Sequence, residues 1–352
     1  MKTSALLNKT AKKLIFMQQF LDFMQTSVYN YAQNKTRGII MKKTKIFIDG
    51  KEGTTGLRIF DRLNIREDIE LITLPEEKRK DAAARKEALN ACDIAFLCLP
   101  DAAAKESVSL IDNPDVKVID TSTAHRTEPD WAYGFPELSK EHLEKIKASK
   151  RVAVPGCHAS GFIALVYPLV KAGILPADAL LTCHSITGYS GGGKKMIAEY
   201  ENGSRATKYA APRQYALTQE HKHLKEMKAV TGIENAPVFC PIVSDFYSGM
   251  AVTVPLFKAN LAQGKSVQDI IDTYKNLYAN KFVRYTEDIG EDAMLGANAL
   301  AVKDCMEITV KGNDERILLI ARYDNLGKGA SGAAVECLNI LMGADPETGL
   351  VL

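Results

Sequence analysis

The sequence has one tryptophan and six histidines in 352 residues, and its seven cysteines include no CxxC pair. Without such pairs or His-rich spacing, the common metal frameworks are excluded. An odd, dispersed set of thiols in a chain this long reads as reduced and cytoplasmic rather than disulfide-bonded. No run of 18 or more apolar residues occurs, which argues against a membrane span. Excess charge of one sign is missing too: 45 lysines and arginines face 43 aspartates and glutamates, a net +2. That balance offers no broad field for nucleic acid or an anionic membrane. Internal repeats and low-complexity segments are also absent. Hydrophobic residues make up 46% and charged residues 25%, so the chain is an ordinary globular one, long enough for two domains.

The first 40 residues stand apart. Lys2, Lys9, Lys12, Lys13, Lys35 and Arg37 face one acid, Asp22. Basic, acid-poor segments can direct targeting, but this one is poor in arginine and has no small-residue cleavage site. Met41 follows, just before an apolar run at 45–48. Residues 1–40 are therefore expected to be an extension outside the fold, as from an upstream start codon.

From residue 45 onward, strands and helices alternate. Strands are predicted at 45–48, 69–74, 93–99 and 116–120, with helices after 56, up to about 91, and at 102–111. Units of this size indicate a parallel, doubly wound α/β sheet. Beyond residue 157 the pattern changes. Strands are predicted at 180–186, 251–256, 306–310 and 317–323, with helices at 194–201 and 267–281. Longer strands with fewer crossovers suggest a mixed α+β domain. The glycine-rich stretches 188–193 and 327–332 fall where site loops are expected.

Cys157 is the most informative residue. It ends the run Val152-Ala-Val-Pro-Gly-Cys157, and a helical pattern follows at once in Phe162, Ile163, Val166, Leu169 and Val170. A thiol at a helix N-terminus is expected to favour the thiolate, a ready nucleophile toward an acyl carbon. Taken alone, a cysteine is more often a buried structural residue.

Gly50, Gly53 and Gly56, with Thr54 and Thr55 between them, leave a strand and open a helix. Glycines there let the backbone approach a pyrophosphate, and the helix N-terminus supplies amides. The same spacing also serves plain strand-to-helix packing. After the second strand, Glu76 and Glu77 favour a free ribose hydroxyl, whereas Lys78, Arg79 and Lys80 favour a 2′-phosphate. The residues alone leave NAD and NADP open.

His221 and His223 lie two apart, followed by Glu226. Histidine is best poised for proton transfer near neutrality. That spacing shares a face on a loop or strand, not on a helix. Alone, such a pair is more often superficial than catalytic, and no further ligands are spaced for zinc.

Further motifs join these in order: Phe96-Leu-Cys-Leu-Pro100, Val118-Ile-Asp-Thr-Ser122 with Arg126, Tyr133-Gly-Phe-Pro-Glu-Leu138, Ile186-Thr-Gly-Tyr-Ser-Gly-Gly-Gly193 and Asn325-Leu-Gly-Lys-Gly-Ala-Ser-Gly332. Over roughly residues 44–345 the ordered set resembles the N-acetyl-gamma-glutamyl-phosphate reductases of arginine biosynthesis, in their shorter form. The resemblance implies a fold like that of glyceraldehyde-3-phosphate and aspartate-semialdehyde dehydrogenases. A Rossmann-like NADP-binding domain would span 41–155, a catalytic and dimerising α+β domain 156–324, and a C-terminal helix in 325–352 would return to the first domain.

The resemblance also implies roles. Cys157 looks like the nucleophile, and His221 and His223 like the paired histidines, one of them the acid–base. Gly50, Gly53, Thr54, Thr55, Gly56, Arg79, Ser190, Gly191 and Asn325 look like cofactor contacts. Ser122, Arg126 and Glu226 look like substrate contacts, Arg126 through its planar fork. The implied reaction uses NADPH and a small acyl phosphate: Cys157 displaces phosphate, a thioester forms, and reduction releases the semialdehyde. A homodimer or homotetramer is implied, with no metal. His158-Ala-Ser160 departs from the Tyr-Pro-Thr of the commoner form, and Thr121-Ser-Thr-Ala-His-Arg126 departs from its Ser-Ala-Asp-Phe-Arg type. Alternatives are an aspartate- or aminoadipyl-type semialdehyde dehydrogenase of the same fold, or a nucleotide-sensing protein. The sensing reading expects the nucleophile or base to be lost, and both are present.

Overall fold

Residues 43–290 and 293–352 are described by the structure, a computed structural model. The expected extension, residues 1–40, lies outside them. Two sheets organise the rest.

The first sheet is built from short apolar strands: β1 (Thr44–Asp49), β2 (Ile69–Ile72), β3 (Ile94–Leu97), β4 (Lys117–Asp120), β5 (Ala132–Tyr133) and β6 (Arg151–Ala153). Their order is β2-β1-β3-β4-β6-β5, all parallel. Helices α1 (Thr54–Leu63), α2 (Ala82–Ala91), α3 (Asp101–Ser109) and α4 (Lys140–Ala148) form the connections. The strands are buried on both faces, as a doubly wound sheet requires. Phe47, Ala95, Leu97 and Val118 meet α2 and α3 on one side. Ile46, Ile48, Phe96 and Ile119 meet α1 and α4 on the other.

The long helix α5 (Cys157–Lys171) leads into the second sheet. That sheet comprises β7 (Thr182–Gly188), β8 (Arg213–Gln214), β9 (Val238–Ser244), β10 (Met250–Phe257), β11 (Val283–Tyr285), β12 (Met306–Gly312) and β13 (Arg316–Tyr323). The order is β11-β12-β13-β10-β7-β9-β8. It is mixed: β7 pairs parallel with β9, whereas β10 pairs antiparallel with β7 and β13. Helices α6 (Gly193–Glu201), α7 (His223–Thr231) and α8 (Val267–Leu277) complete it. One face packs on α5, which is buried through Leu169. Pro168 sits inside α5 and has no N–H for the Ala164 carbonyl; the Tyr278 hydroxyl donates to that carbonyl instead, at 2.7 Å. The opposite face stays open and apolar in places, with Ile186, Val238, Phe257 and Leu318 exposed.

After β13 the chain makes a π-helical turn (Gly327–Ser331) and ends in α9 (Gly332–Met342). Ala333, Ala334, Val335, Cys337, Leu338 and Leu341 of α9 join the core of the first sheet. Lys328 of the turn is buried between Glu137 and Glu336, which fixes the turn to α9. Among the described residues, no helix is long and apolar enough to cross a membrane, and no group of three or more His, Cys, Asp or Glu side chains is placed to hold a metal ion.

Candidate active site

Cys157 is the first residue of α5, and Gly156 caps that helix without a side chain. A side chain at Gly156 would collide with Arg126 Nη1 and His223 Nε2, so only glycine lets those two groups close on the turn. The thiol lines a cavity of about 290 Å³ together with Arg126, His158, Tyr215, His221, Lys222, His223, Gly191 and Asn325. Thr55, from the glycine loop, lines it too. A second cavity, about 540 Å³, is lined by Gly50, Leu71, Glu76, Arg79 and Lys80. The loop between β1 and α1 thus stands between the two.

Within that loop Gly50 has φ +86° and its Cβ position is taken by the Cys98 carbonyl oxygen. Gly53 differs: a Cβ there would meet nothing closer than 3.5 Å, so packing alone does not call for glycine. Gly53 caps α1 without a side chain, and the buried Thr54 hydroxyl has no hydrogen-bond partner. Arg79 is exposed and stands 3.1 Å from Glu76 and 3.9 Å from Glu52.

Glu226 lies behind the cavity rather than in it. Its carboxylate accepts from Tyr133 Oη at 2.7 Å, the Gly156 amide at 2.8 Å and Arg126 Nη1 at 3.0 Å. Three donors saturate its inward side, and it does not line the cavity. Ser122 is likewise absent from the lining. Its hydroxyl donates to Asp120 Oδ2 at 2.7 Å and accepts from the Ala124 amide at 3.1 Å, closing a turn. The Ser190 hydroxyl is buried and accepts from Asn325 Nδ2 at 3.0 Å. Asn325 Oδ1 accepts from the Gly249 amide at 2.9 Å, so Asn325 pins the 188–193 loop while facing the cavity. Glu226, Ser122 and Ser190 thus do not line the cavity.

Arg126 is half committed. Nε donates to the Val154 carbonyl at 2.8 Å, Nη2 to Thr121 at 3.0 Å and Nη1 to Glu226. A guanidinium has five N–H groups, so two remain for an anion. Among the described residues, Arg126 and Lys222 are the cationic side chains lining this cavity.

The sequence suggested a thiolate at Cys157, but burial raises the thiol above its ordinary value. Arg126, the His158 amide and Lys222 pull it back only in part. The histidines are held the other way. Burial, helped by Lys222, lowers His221 to about 4. Burial and Arg126 hold His223 well below the usual range. Both rings are therefore neutral near pH 7. Their centroids are 4.7 Å apart, His221 preceding α7 and His223 beginning it. The His223 amide donates to His221 Nδ1 at 3.2 Å, which leaves the His221 proton on Nε2. His223 Nδ1 is buried without a partner.

His158, Tyr215 and Lys222 were not among the expected site residues. Lys222 lies between the two histidines and His158 directly follows Cys157, and these positions are the signals the sequence carries for them. Tyr215 belongs to no motif.

Comparison with known proteins places this geometry. The family model "Semialdehyde dehydrogenase, NAD binding domain" matches residues 70–146, and "Semialdehyde dehydrogenase, dimerisation domain" matches residues 157–325. The N-acetyl-gamma-glutamyl-phosphate reductase of Sinorhizobium medicae is 46% identical over 309 residues, covering 86% of this chain and 100% of that protein. N-acetyl-gamma-glutamyl-phosphate reductase 2 of a Nostoc species is 45% identical over 322 residues, covering 88% and 100%. Among solved structures, aspartate semialdehyde dehydrogenase of Francisella tularensis superposes with a TM-score of 0.65 at 14% identity, covering 85% of this chain and 100% of that one. Aspartate semialdehyde dehydrogenase II of Vibrio cholerae gives 0.64 at 16%, covering 86% and 99%. At such identity these two share the fold alone. With its two sheets, its cysteine-headed helix and relatives matched over their full length, the chain belongs to the N-acetyl-gamma-glutamyl-phosphate reductase family.

Proposed function

We propose that this chain reduces N-acetyl-gamma-glutamyl phosphate to the semialdehyde with NADPH, releasing phosphate, as a step of arginine biosynthesis. The observation that carries the reading is the meeting of Cys157, two neutral histidines and two cations in one cavity that also reaches the glycine loop.

The residues fit a dinucleotide. The α1 N-terminus is uncapped, the Thr54 hydroxyl is buried and unpartnered, and Gly53 is glycine without a packing reason. These groups suit a pyrophosphate. Arg79 and Lys80 on the second cavity suit a 2′-phosphate. Gly191 and Asn325 suit the nicotinamide end. When bound, NADPH supplies the hydride.

The protein's own groups do the rest. Two free Arg126 N–H groups and the Lys222 ammonium hold the anionic substrate. Because burial keeps Cys157 as a thiol, a neutral histidine must take its proton as sulfur attacks the acyl carbon. The S–C bond forms as phosphate leaves. The imidazolium so formed, for which we favour His221, returns that proton to the sulfur when the semialdehyde departs. Glu226 and Asn325 position, the first through Arg126 and Gly156, the second through the 188–193 loop.

The proposed division is nucleotide binding by 41–155 with 325–352, and catalysis by 156–324. The proposed assembly is a homodimer, or a tetramer of such dimers, through the open face of the second sheet. Exposed Ile186, Val238, Phe257 and Leu318 support that surface, as does the dimerisation-domain match. A cytoplasmic location is proposed from the seven free cysteines.

The deciding experiment runs the reaction in reverse. N-acetyl-glutamate semialdehyde, phosphate and NADP are expected to give NADPH, with aspartate and aminoadipate semialdehydes and NAD as comparisons. Preference for another semialdehyde would replace the substrate. No turnover with any of them would overturn the reading.

A further inference from the structure

Three side chains form a hydrogen-bonded chain beside Cys157 that no step above uses. The Ser185 hydroxyl, wholly buried on β7, is 2.6 Å from His158 Nδ1. His158 Nε2 is 2.6 Å from the Tyr215 hydroxyl. Tyr215 and His158 line the cavity with Cys157. Burial, with His221 nearby, lowers His158 to about 3, so the ring is neutral at working pH. A neutral imidazole has one donor and one acceptor nitrogen, so the chain runs in one of two directions, set by the tautomer. When Ser185 donates to Nδ1, Nε2–H donates to the tyrosine oxygen. The Tyr215 proton is then aimed at a third partner. Burial and the neighbouring Cys157 raise the Tyr215 hydroxyl above its ordinary value, so it stays O–H.

The backbone holds Tyr215 in place independently. Its amide donates to the Pro241 carbonyl at 3.0 Å, continuing the pairing of β8 with β9. The next residue, Ala216, has φ +51°, a left-handed conformation costly for any residue with a Cβ. Such strain collects at functional sites.

We propose that Tyr215, aligned by His158 and Ser185, donates a hydrogen bond to the oxygen of the acyl carbon that Cys157 attacks. The proposal rests on the acyl-phosphate reading above. As sulfur attacks, the S–C bond forms and the C=O π pair moves onto oxygen. When phosphate leaves with the C–O bonding pair, the C=O bond returns. Tyr215 shares its proton throughout and transfers none, so the relay ends each step as it began. A fixed donor at a developing oxyanion is worth roughly 100-fold or more in rate.

The test isolates the acylation step. Full-length enzyme mixed with N-acetyl-gamma-glutamyl phosphate, without nucleotide, should release a burst of one phosphate per site as the thioester forms. Tyr215→Phe should slow that burst roughly 100-fold while its amplitude stays at one per site. His158→Gln should slow it comparably, and the double variant should be no slower than the slower single one. Ser185→Ala, farthest from the cavity, should slow it by a smaller factor. A Tyr215→Phe burst within threefold of the parent, or losses that multiply in the double variant, would overturn the proposal. Absence of any burst in the parent enzyme would overturn the functional reading and this proposal with it.

Discussion

The Tyr323 hydroxyl stands between the Cys157 carbonyl and the Gly161 amide. It donates to the carbonyl and accepts from the amide at 3.0 Å. Those two groups would otherwise make the second i→i+4 bond of α5, after the one from the Ser160 amide to the Gly156 carbonyl. A Cβ at Gly161 would meet the tyrosine oxygen at 2.7 Å, so glycine is what admits the wedge. The second sheet, through β13, thereby sets the turn that carries the thiol.

Tyr323→Phe is expected to lower stability by about 1–2 kcal/mol, the net worth of buried hydrogen bonds left unmade. It should also change the pH dependence of iodoacetamide alkylation at Cys157. Urea melts and alkylation rates from pH 6 to 10 check both. An unchanged alkylation profile would mean the wedge serves the fold alone.

Cys157→Ser should keep fold and nucleotide binding but lose turnover, since a serine hydroxyl ionises far less readily than a thiol. Mass spectrometry after acyl-phosphate addition should find the adduct on Cys157. The comparison residue is Cys183, fully buried in the core behind it. An adduct there would reverse the assignment.

The two histidines should separate kinetically. His221→Asn is expected to lower turnover by roughly 10²–10⁴-fold and to flatten one limb of the pH–rate profile. His223→Asn should mainly raise the Michaelis constant. Both variants need assay across pH with saturating nucleotide. Exchanged effects would exchange the roles.

Acid should weaken this fold through its site. Burial lowers His158 to about 3 and His221 to about 4, and holds His223 well below its usual range. In the unfolded chain all three protonate near the ordinary value of about 6.5. The unfolded state thus binds more protons from about pH 6.5 down to about 4, and stability falls as pH drops through that window. Above it the three contribute nothing to the slope. His158→Gln should flatten the decline of the urea midpoint between pH 6.5 and 4.5. A slope equal to the parent's would show the imidazole already charged in the fold.

Period and punctuation made most of the first sheet readable. Apolar runs of four to seven residues broken by glycine or proline match β1, β2, β3 and β4 to within two residues at each end. The strand β9 is not among the predicted strands; it carries Pro241 within Val-Phe-Cys-Pro-Ile-Val-Ser, and proline weakens a strand signal. It is tolerated where Pro241 offers only its carbonyl, to the Tyr215 amide. β5 has two residues and β6 three, too few for any period to show. The helix predicted to residue 281 stops at Leu277, where Tyr278 leaves helical geometry with ψ 71° and turns its hydroxyl to α5. At the site, motifs exposed the residues that form strings. They did not separate lining from support, because Glu226, Ser122 and Ser190 sit in the same strings as their neighbours. Depth behind a cavity is a property of packing that no local pattern carries.

The last helix has a temporal consequence. Its six apolar side chains complete one face of the first sheet, yet they are the final structured helix to leave the ribosome. Until it emerges that face is covered only in part, by α1 and α4, although every strand of the sheet has already emerged. The nascent chain cannot finish its first half first, as vectorial folding would otherwise favour. A fragment ending after β13 should carry an open apolar strip and gather chaperones or aggregate, whereas supplying the missing terminal segment in trans should restore solubility.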